Sequence, residues 1–340
     1  MLGDLPMGSN DRRRSVDFEY RKICNSFSKI QMTGDPFSDV LDLIHARSVV
    51  SGGLIAGGDW AIRFPASDRI NFWCLVRGQC WCAIDGGDAP FLLSAGDFLL
   101  RRSPRSAVLA TDLSLAPIDL EAVTSAAVGG ISRHGQGEEF FMMGGKVDFD
   151  AVRGASLMDA LPASIRIPQG SAHAAVLQLL LAQLVRERSD ALPGMGAASA
   201  QLAHLLFIQV LRAHMDEQAE PSPGWLRLLG NRRLAPAVRL MHGDPARAWA
   251  LEELAEACGM SRASFAAHFK ASAGLAPLAY LTRWRMRLAE RDLREGQASV
   301  ASIGYALGYS SESAFSNAFK RVVGQAPAHY RAGSPVSGRS

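Results

Sequence analysis

Cysteine is scarce in this chain, with five in 340 residues, at positions 24, 74, 80, 82 and 258. An odd number in a chain this long excludes a disulfide-stapled secreted scaffold. Long apolar runs are also missing, and none approaches the ~18–20 residues that cross a bilayer. Arg12, Arg13 and Arg14 are followed by no apolar stretch, so no signal peptide is expected. These absences point to a reducing, cytoplasmic setting away from membranes. Histidine is missing from the whole stretch between His45 and His134.

Apolar residues make up 48% of the chain and charged residues 20%, so two ordinary domains can each bury a core. The formal charge of +3 is unevenly spread. From Trp225 to Gly333, 15 Arg and Lys stand against 8 Asp and Glu, a net of +7. The remainder holds 21 basic and 25 acidic residues, a net of −4. A basic C-terminal part suits a polyanionic partner, although many soluble domains reach such a charge.

The pattern divides the chain. Residues 1–34 are polar and irregular and read as a mobile extension. Asp35–Ala46 has helical spacing. From about 48 to 145, short apolar runs alternate with turn signals; examples are Trp60–Phe64, Phe72–Val76, Cys80–Ile84, Phe91–Leu93 and Phe98–Leu100. Many short strands at close spacing imply a β-sandwich or small barrel, assigned here to residues 35–165. Residues 166–220 return to helix, at Ser171–Arg188 and Gly196–Ala219, dense in leucine. Such helices pack either within their domain or against a second copy of the chain. Residues 221–230 are a linker containing Pro221-Ser222-Pro223-Gly224, and 333–340 a tail.

Residues 231–332 contain an internal repeat. Asn231–Gly243 can form a lead helix. A short amphipathic helix ending at Cys258 is broken by Gly259-Met260-Ser261, and Arg262–Ser272 resumes it. The plan recurs with Val300–Leu307, Gly308-Tyr309-Ser310 and Ser313–Val323. Phe265 and Phe269 are matched by Phe315 and Phe319, while Gly274, Pro277 and Tyr280 recur 50 residues later as Gly324, Pro327 and Tyr330. The turn glycines, Gly259 and Gly308, lie 49 apart, so the second turn is one residue longer. A glycine at the corner accepts positive φ and the serine can cap the next helix. This is the plan of a helix-turn-helix, occurring twice, at about 249–272 and 300–323. With Phe turned inward, the outer face of each second helix is free to enter a major groove. Pro277–Leu293 reads as a stiff helix setting the separation of the two.

The stretch from Trp249 to Lys270, with Gly308-Tyr-Ser-Ser-Glu-Ser-Ala-Phe-Ser-Asn-Ala-Phe-Lys-Arg321 and Gly324–Arg331, resembles the arabinose-regulator (AraC) type of bacterial transcription factors. One departure is Gly304, where the family usually has alanine; glycine there should loosen its helix slightly. The resemblance implies that Arg262, Ala263, Ala266, Ala267 and Lys270 of the first unit face DNA. Glu312, Ser313, Ser316, Asn317, Lys320 and Arg321 do so in the second. Asn can read adenine, Glu can accept from cytosine, and alanine can meet only thymine methyls. The basic members suit phosphate. Each position could equally be plain solvated surface.

Asp35-Pro36, Gly57–Trp60, Leu75–Gly78, Ser94–Asp97, Leu161-Pro162, Pro193-Gly194 and Trp225-Leu226 are similar to the cupin-type sensor of many family members. The implied fold is α+β multidomain, a cupin-like barrel with flanking helices followed by an all-α double helix-turn-helix. Catalytic cupins hold a metal with two or three histidines and a carboxylate. The histidine gap therefore argues against a metal, a cofactor and a fused enzyme activity. Trp60, Arg63, Asn71, Trp73 and Trp81 could form an apolar box with polar handles for a small effector, or simply be core. Cys80 and Cys82 share a strand face, and Cys74 could approach from a paired strand. Three neighbouring thiols could sense an oxidant or hold a soft metal, or behave as small hydrophobes. The expected partners are promoter DNA, an effector, a second copy in a homodimer, and RNA polymerase if the protein is an activator.

Overall fold

The computed structural model describes residues 35–43, 46–87, 89–102, 104–125, 127, 130–149, 161–190, 192–217 and 223–333. The expected N-terminal extension, Cys24, His45 and most of the tail lie outside these residues. The chain divides into two compact units: Ile44–Gly230, and a second that joins the N-terminal helix to everything from Asn231 onward.

The first unit carries eleven strands among the described residues: β1 (Arg47–Ala56), β2 (Ala61–Phe64), β3 (Ile70–Arg77), β4 (Gln79–Ile84), β5 (Phe91–Ser94), β6 (Phe98–Arg102), β7 (Ala107–Ala110), β8 (Ile118–Asp119), β9 (Ile131–His134), β10 (Phe140–Asp148) and β11 (Ser164–Ile167). Two helices, α1 (Pro36–Leu43) and α2 (Leu120–Thr124), precede β1 and β9. The six-stranded sheet has the order β11-β6-β3-β10-β1-β9 and the five-stranded one β5-β4-β7-β2-β8. The chain crosses between sheets at Gly78, where φ is +82° and a Cβ would lie 2.4 Å from the Glu139 carbonyl oxygen, so only glycine fits.

Two long helices complete the unit, α3 (Ala174–Asp190) and α4 (Met195–Glu217), packed on each other. The first sheet is covered on both faces. Trp73, Leu75, Leu99, Phe140 and Met142 fill the space between the sheets with Trp60, Ile62, Cys80, Cys82 and Leu93. Phe72, Cys74, Phe98 and Leu100 point the other way, to Leu206, Phe207 and Val210 of α4. Two-sided burial is why β3 reads as a continuous apolar run whereas β4 alternates. Asp97 is buried at the β5–β6 turn; its carboxylate accepts from the Ser94 amide at 3.1 Å, Arg166 at 2.7 Å and the Gln169 amide at 3.0 Å. It thereby ties that turn to the end of β11.

After α5 (Trp225–Gly230) comes the helical unit: α6 (Ala235–Gly243), α7 (Leu251–Ala257), α8 (Arg262–Ala273), α9 (Pro277–Glu295), α10 (Val300–Ala306), α11 (Glu312–Val323) and α12 (Pro327–Ala332). Helix α1 packs within this unit, against α6 and α9. Its Leu43 and Val40 pack into a core formed with Trp284, Met286 and Leu288. The Asp39 carboxylate lies 3.6 Å from Nδ1 of the buried His242. Asp35 starts the helix by accepting from the Phe37 amide at 3.1 Å and the Ser38 hydroxyl at 2.6 Å.

Candidate DNA-binding interface and sensor barrel

The two repeats fold alike, with one residue more in the second turn. Ser261 caps α8 by accepting from the Ser264 amide at 3.3 Å, and Ser311 caps α11 from Ala314 at 3.1 Å. Both second helices end on left-handed glycines, Gly274 and Gly324. The Phe265 and Phe269 rings lie 5.6 Å apart, with Tyr280 edge-on to Phe269 at 5.5 Å. Phe315 and Phe319 lie 5.8 Å apart, with Tyr330 edge-on at 5.4 Å. All four phenylalanines are fully buried. Each unit therefore closes around its own aromatic triplet and leaves the opposite helix face outside.

Arg262, Ala263, Ala267 and Lys270 are exposed on α8, and Ala266 is half-buried. On α11, Glu312, Ser313, Asn317, Lys320 and Arg321 are exposed and Ser316 half-buried. Arg262 pairs with Glu252 of α7 at 2.9 Å; both side chains are more than half exposed, so the pair is weak and separable. Helix α9, with 19 residues, gives a rod of about 28 Å between the units. Gly304 has a packing role: a Cβ there would sit 2.9 Å from the Phe315 Cβ. The departure from alanine lets α10 lie close against α11, a gain to set beside the local helix cost foreseen for it.

In the two-sheet unit the structure does not bring the five expected ligand residues together. Trp60 and Trp73 are buried in the core between the sheets, Trp60 against Phe140 at 4.7 Å and Trp73 against Phe64 at 4.7 Å. Arg63 pairs with Asp85 at 3.3 Å. Asn71 is half-buried on β3, two residues before Trp73, and Trp81 stands 39% exposed on the outside of β4. A groove of roughly 470 Å³ lies elsewhere, between the end of β3, the Ala95-Gly96 turn and α3, lined by Leu75, Val76, Gln178, Leu181, Val185 and Arg186.

The expected thiol cluster is corrected by the strand topology. β3 and β4 lie in different sheets, so Cys74 does not face Cys80 and Cys82. It points to α4 while the other two point into the core between the sheets. Burial raises all three thiols, Cys82 to about 12, against the pull of Arg101 and Arg166. A thiol held protonated is a poor nucleophile and metal ligand. Among the described residues no three His, Cys, Asp or Glu side chains are grouped to hold a metal ion. Cys258 is half-buried, at the end of α7. No described helix is long and apolar enough to cross a membrane.

Paired helix-turn-helix units behind a two-sheet domain define a DNA-binding transcription regulator with a cupin-like N-terminal part. A family profile described as Cupin matches residues 35–216, and one described as Helix-turn-helix domain matches 254–333. A Streptomyces antibioticus protein described as an AraC-like transcription regulator is 42% identical over 297 residues, covering 87% of this chain and 98% of that one. The HTH-type transcriptional regulator AlkR of Acinetobacter baylyi is 30% identical, covering 87% and 99%. Among solved structures, the DNA-binding domain of AdpA in complex with a target DNA is 33% identical over 29% of this chain and 90% of that one, with a TM-score of 0.28. The chain belongs to the AraC family of transcription regulators.

Proposed function

We propose that this regulator reads promoter DNA with both helix-turn-helix units, α8 and α11 entering successive major grooves on one duplex face. The observation that carries the reading is the duplicated aromatic triplet, which builds two complete units on one helix, each with an outward recognition face. Asn317 and Glu312 supply base readout in the second unit; Lys270, Lys320 and Arg321 bind phosphate. The first unit, with Ala263, Ala266 and Ala267, reads shape and methyl groups. The test is selection of bound duplexes from a random pool by the full chain, followed by footprinting. Two protected tracts about one turn (~34 Å) apart support the reading. Equal binding to selected and random duplex at physiological salt refutes it.

The cupin-like unit acts as a sensor, not as an enzyme, and the protein works in the cytoplasm. Its interior is filled by side chains, so the groove beside α3 is where a small effector docks. Helix α3 also carries Val176 and Leu179, 48% and 71% exposed, with Leu205 of α4 39% exposed. Burying such a side chain is worth about 1.5–3 kcal/mol, and a second copy of the chain would bury it. An effector wedged against α3 would then bias the dimer between arrangements through its differential affinity for them. Sedimentation of Leu179→Glu tests this: a dimer that persists unchanged removes the face from the interface.

A further inference from the structure

Each helix-turn-helix unit is closed by its own aromatic triplet, so those triplets do not set the distance or angle between units. Something else must. Arg285 lies at the middle of α9, half-buried. Its Nε donates to the Pro245 carbonyl at 2.5 Å, and one terminal nitrogen donates to the Arg247 carbonyl at 2.9 Å and the Ala246 carbonyl at 3.4 Å. These three carbonyls belong to the loop that leads into α7, the first helix of the first unit.

The same guanidinium reaches the second unit. Its carbon lies 5.7 Å from the centre of the Tyr309 ring, in the turn between α10 and α11. The Tyr309 ring in turn meets Phe315 of the recognition helix edge-on at 5.6 Å. The two units also touch directly beside Arg285. At Gly308, φ is +83° and a Cβ would fall 2.0 Å from the Ala246 carbonyl oxygen.

The loop that receives Arg285 is itself stiff. The Trp249 indole donates to the Asp244 carbonyl at 2.9 Å, and the Arg247 amide donates to the Asp244 carboxylate at 3.2 Å. The Arg247 side chain covers Trp249 at 4.0 Å and pairs with Glu253 at 2.5 Å. Glu253 also accepts from the Ala250 amide at the start of α7, at 3.0 Å. A displacement at Arg285 is therefore passed to α7 instead of being absorbed.

We propose that Arg285 is the positioning residue that fixes the register between the two recognition helices, and so the number of base pairs the protein accepts between its two half-sites. A planar cation with a rigid fork of donors can hold three carbonyls and a ring in one geometry; an ammonium on a flexible stem cannot. The inference rests on the reading that both units bind one duplex.

The test uses the full chain as wild type, Arg285→Lys and Arg285→Ala. Each is taken through selection from a random duplex pool. Each is then titrated with the selected site carrying one or two base pairs inserted or removed between its halves. Wild type selects a single separation and loses about tenfold in affinity for a one-base-pair change, the size of a lost base contact. Arg285→Ala keeps the sequence of each half but spreads their separation, and its loss on insertion falls to about threefold or less. Arg285→Lys lies between. A purely structural role would weaken all spacings alike and leave the preference unmoved. Retention of the wild-type spacing preference by Arg285→Ala overturns the inference. Should that variant fail to fold, Arg285→Lys decides by the same criterion. A wild-type site with only one half overturns the bipartite reading, and this inference with it.

Discussion

The helical unit and the two-sheet unit put their chemistry in opposite places. In the helical unit the two aromatic triplets face inward, and the outer faces of α8 and α11 are left largely to small, polar and basic groups. In the two-sheet unit, Trp60, Trp73 and the three cysteines, which look like site residues, are spent on a core that fills both faces of one sheet. A reader of DNA needs a convex face on a rigid support, which a repeat can supply from few residues. A sensor needs a concavity, and concavity depends on how sheets and helices close. That is set by contacts far apart in sequence.

The largest expected effects test the core side of this contrast. Phe319→Ala and Trp73→Ala each remove a buried ring, at a cost of about 3–5 kcal/mol. Calorimetry of the full chain should show Phe319→Ala lowering the melting of the helical unit and abolishing DNA binding. Trp73→Ala should lower the melting of the two-sheet unit while the helical unit still binds DNA. Loss of both transitions together in either variant would mean that the units do not melt independently.

Legibility follows the same divide. The duplicated helix-turn-helix was readable because its constraints are local: a turn glycine, a capping serine and an i,i+4 phenylalanine pair, repeated at about 50 residues. The five apolar runs named from the sequence also reappear as β2 to β6. The interior strands β1 and β10 are not named as strands from the sequence, because Gly52-Gly53 and Gly144-Gly145 resemble turns. Their glycines instead allow close approach: a Cβ at Gly52 would lie 2.3 Å from the Gly130 oxygen, and one at Gly145 2.1 Å from the Phe72 ring. The placement of Cys74 failed for a related reason, since no local signal says that β3 and β4 part into different sheets. Arg285 is one of five arginines of α9; only the fold shows which of them holds a loop. Helix α1 was readable as a helix but not in its partner, which begins nearly 200 residues later in the chain.

Intermediate effects sharpen the division of labour on the recognition surface. Lys320→Ala should weaken binding to every sequence alike and reduce the salt slope by about one. Asn317→Ala should cost about 1–3 kcal/mol at one base position and relax specificity there, leaving the salt slope unchanged. Binding isotherms on single-base variants of the selected site, at several salt concentrations, separate the two. If Asn317→Ala lowers affinity equally for all variants, Asn317 is no base reader.

The smallest effect concerns the seat of α1 within the helical unit. His242 is 1% exposed, stacked on Trp284 at 3.8 Å, with Nε2 2.8 Å from the Tyr280 hydroxyl and Nδ1 facing Asp39 of α1. Burial lowers its pKa, and the Asp39 carboxylate opposes that shift without cancelling it. The unfolded chain therefore takes up the proton first. Stability of the helical unit should fall as pH drops below about 6.5, down to the lowered folded value, by at most about 1.4 kcal/mol per pH unit from this one group. Above that window His242 adds no pH dependence. His242→Gln should flatten this slope, and Asp39→Asn, which removes the opposing charge, should steepen it. Calorimetric melts of the full chain between pH 5.5 and 7.5 read both. The assignment of α1 to the helical unit makes the Asp39 result decisive: if Asp39→Asn shifts only the melting of the two-sheet unit, α1 is seated on the wrong partner.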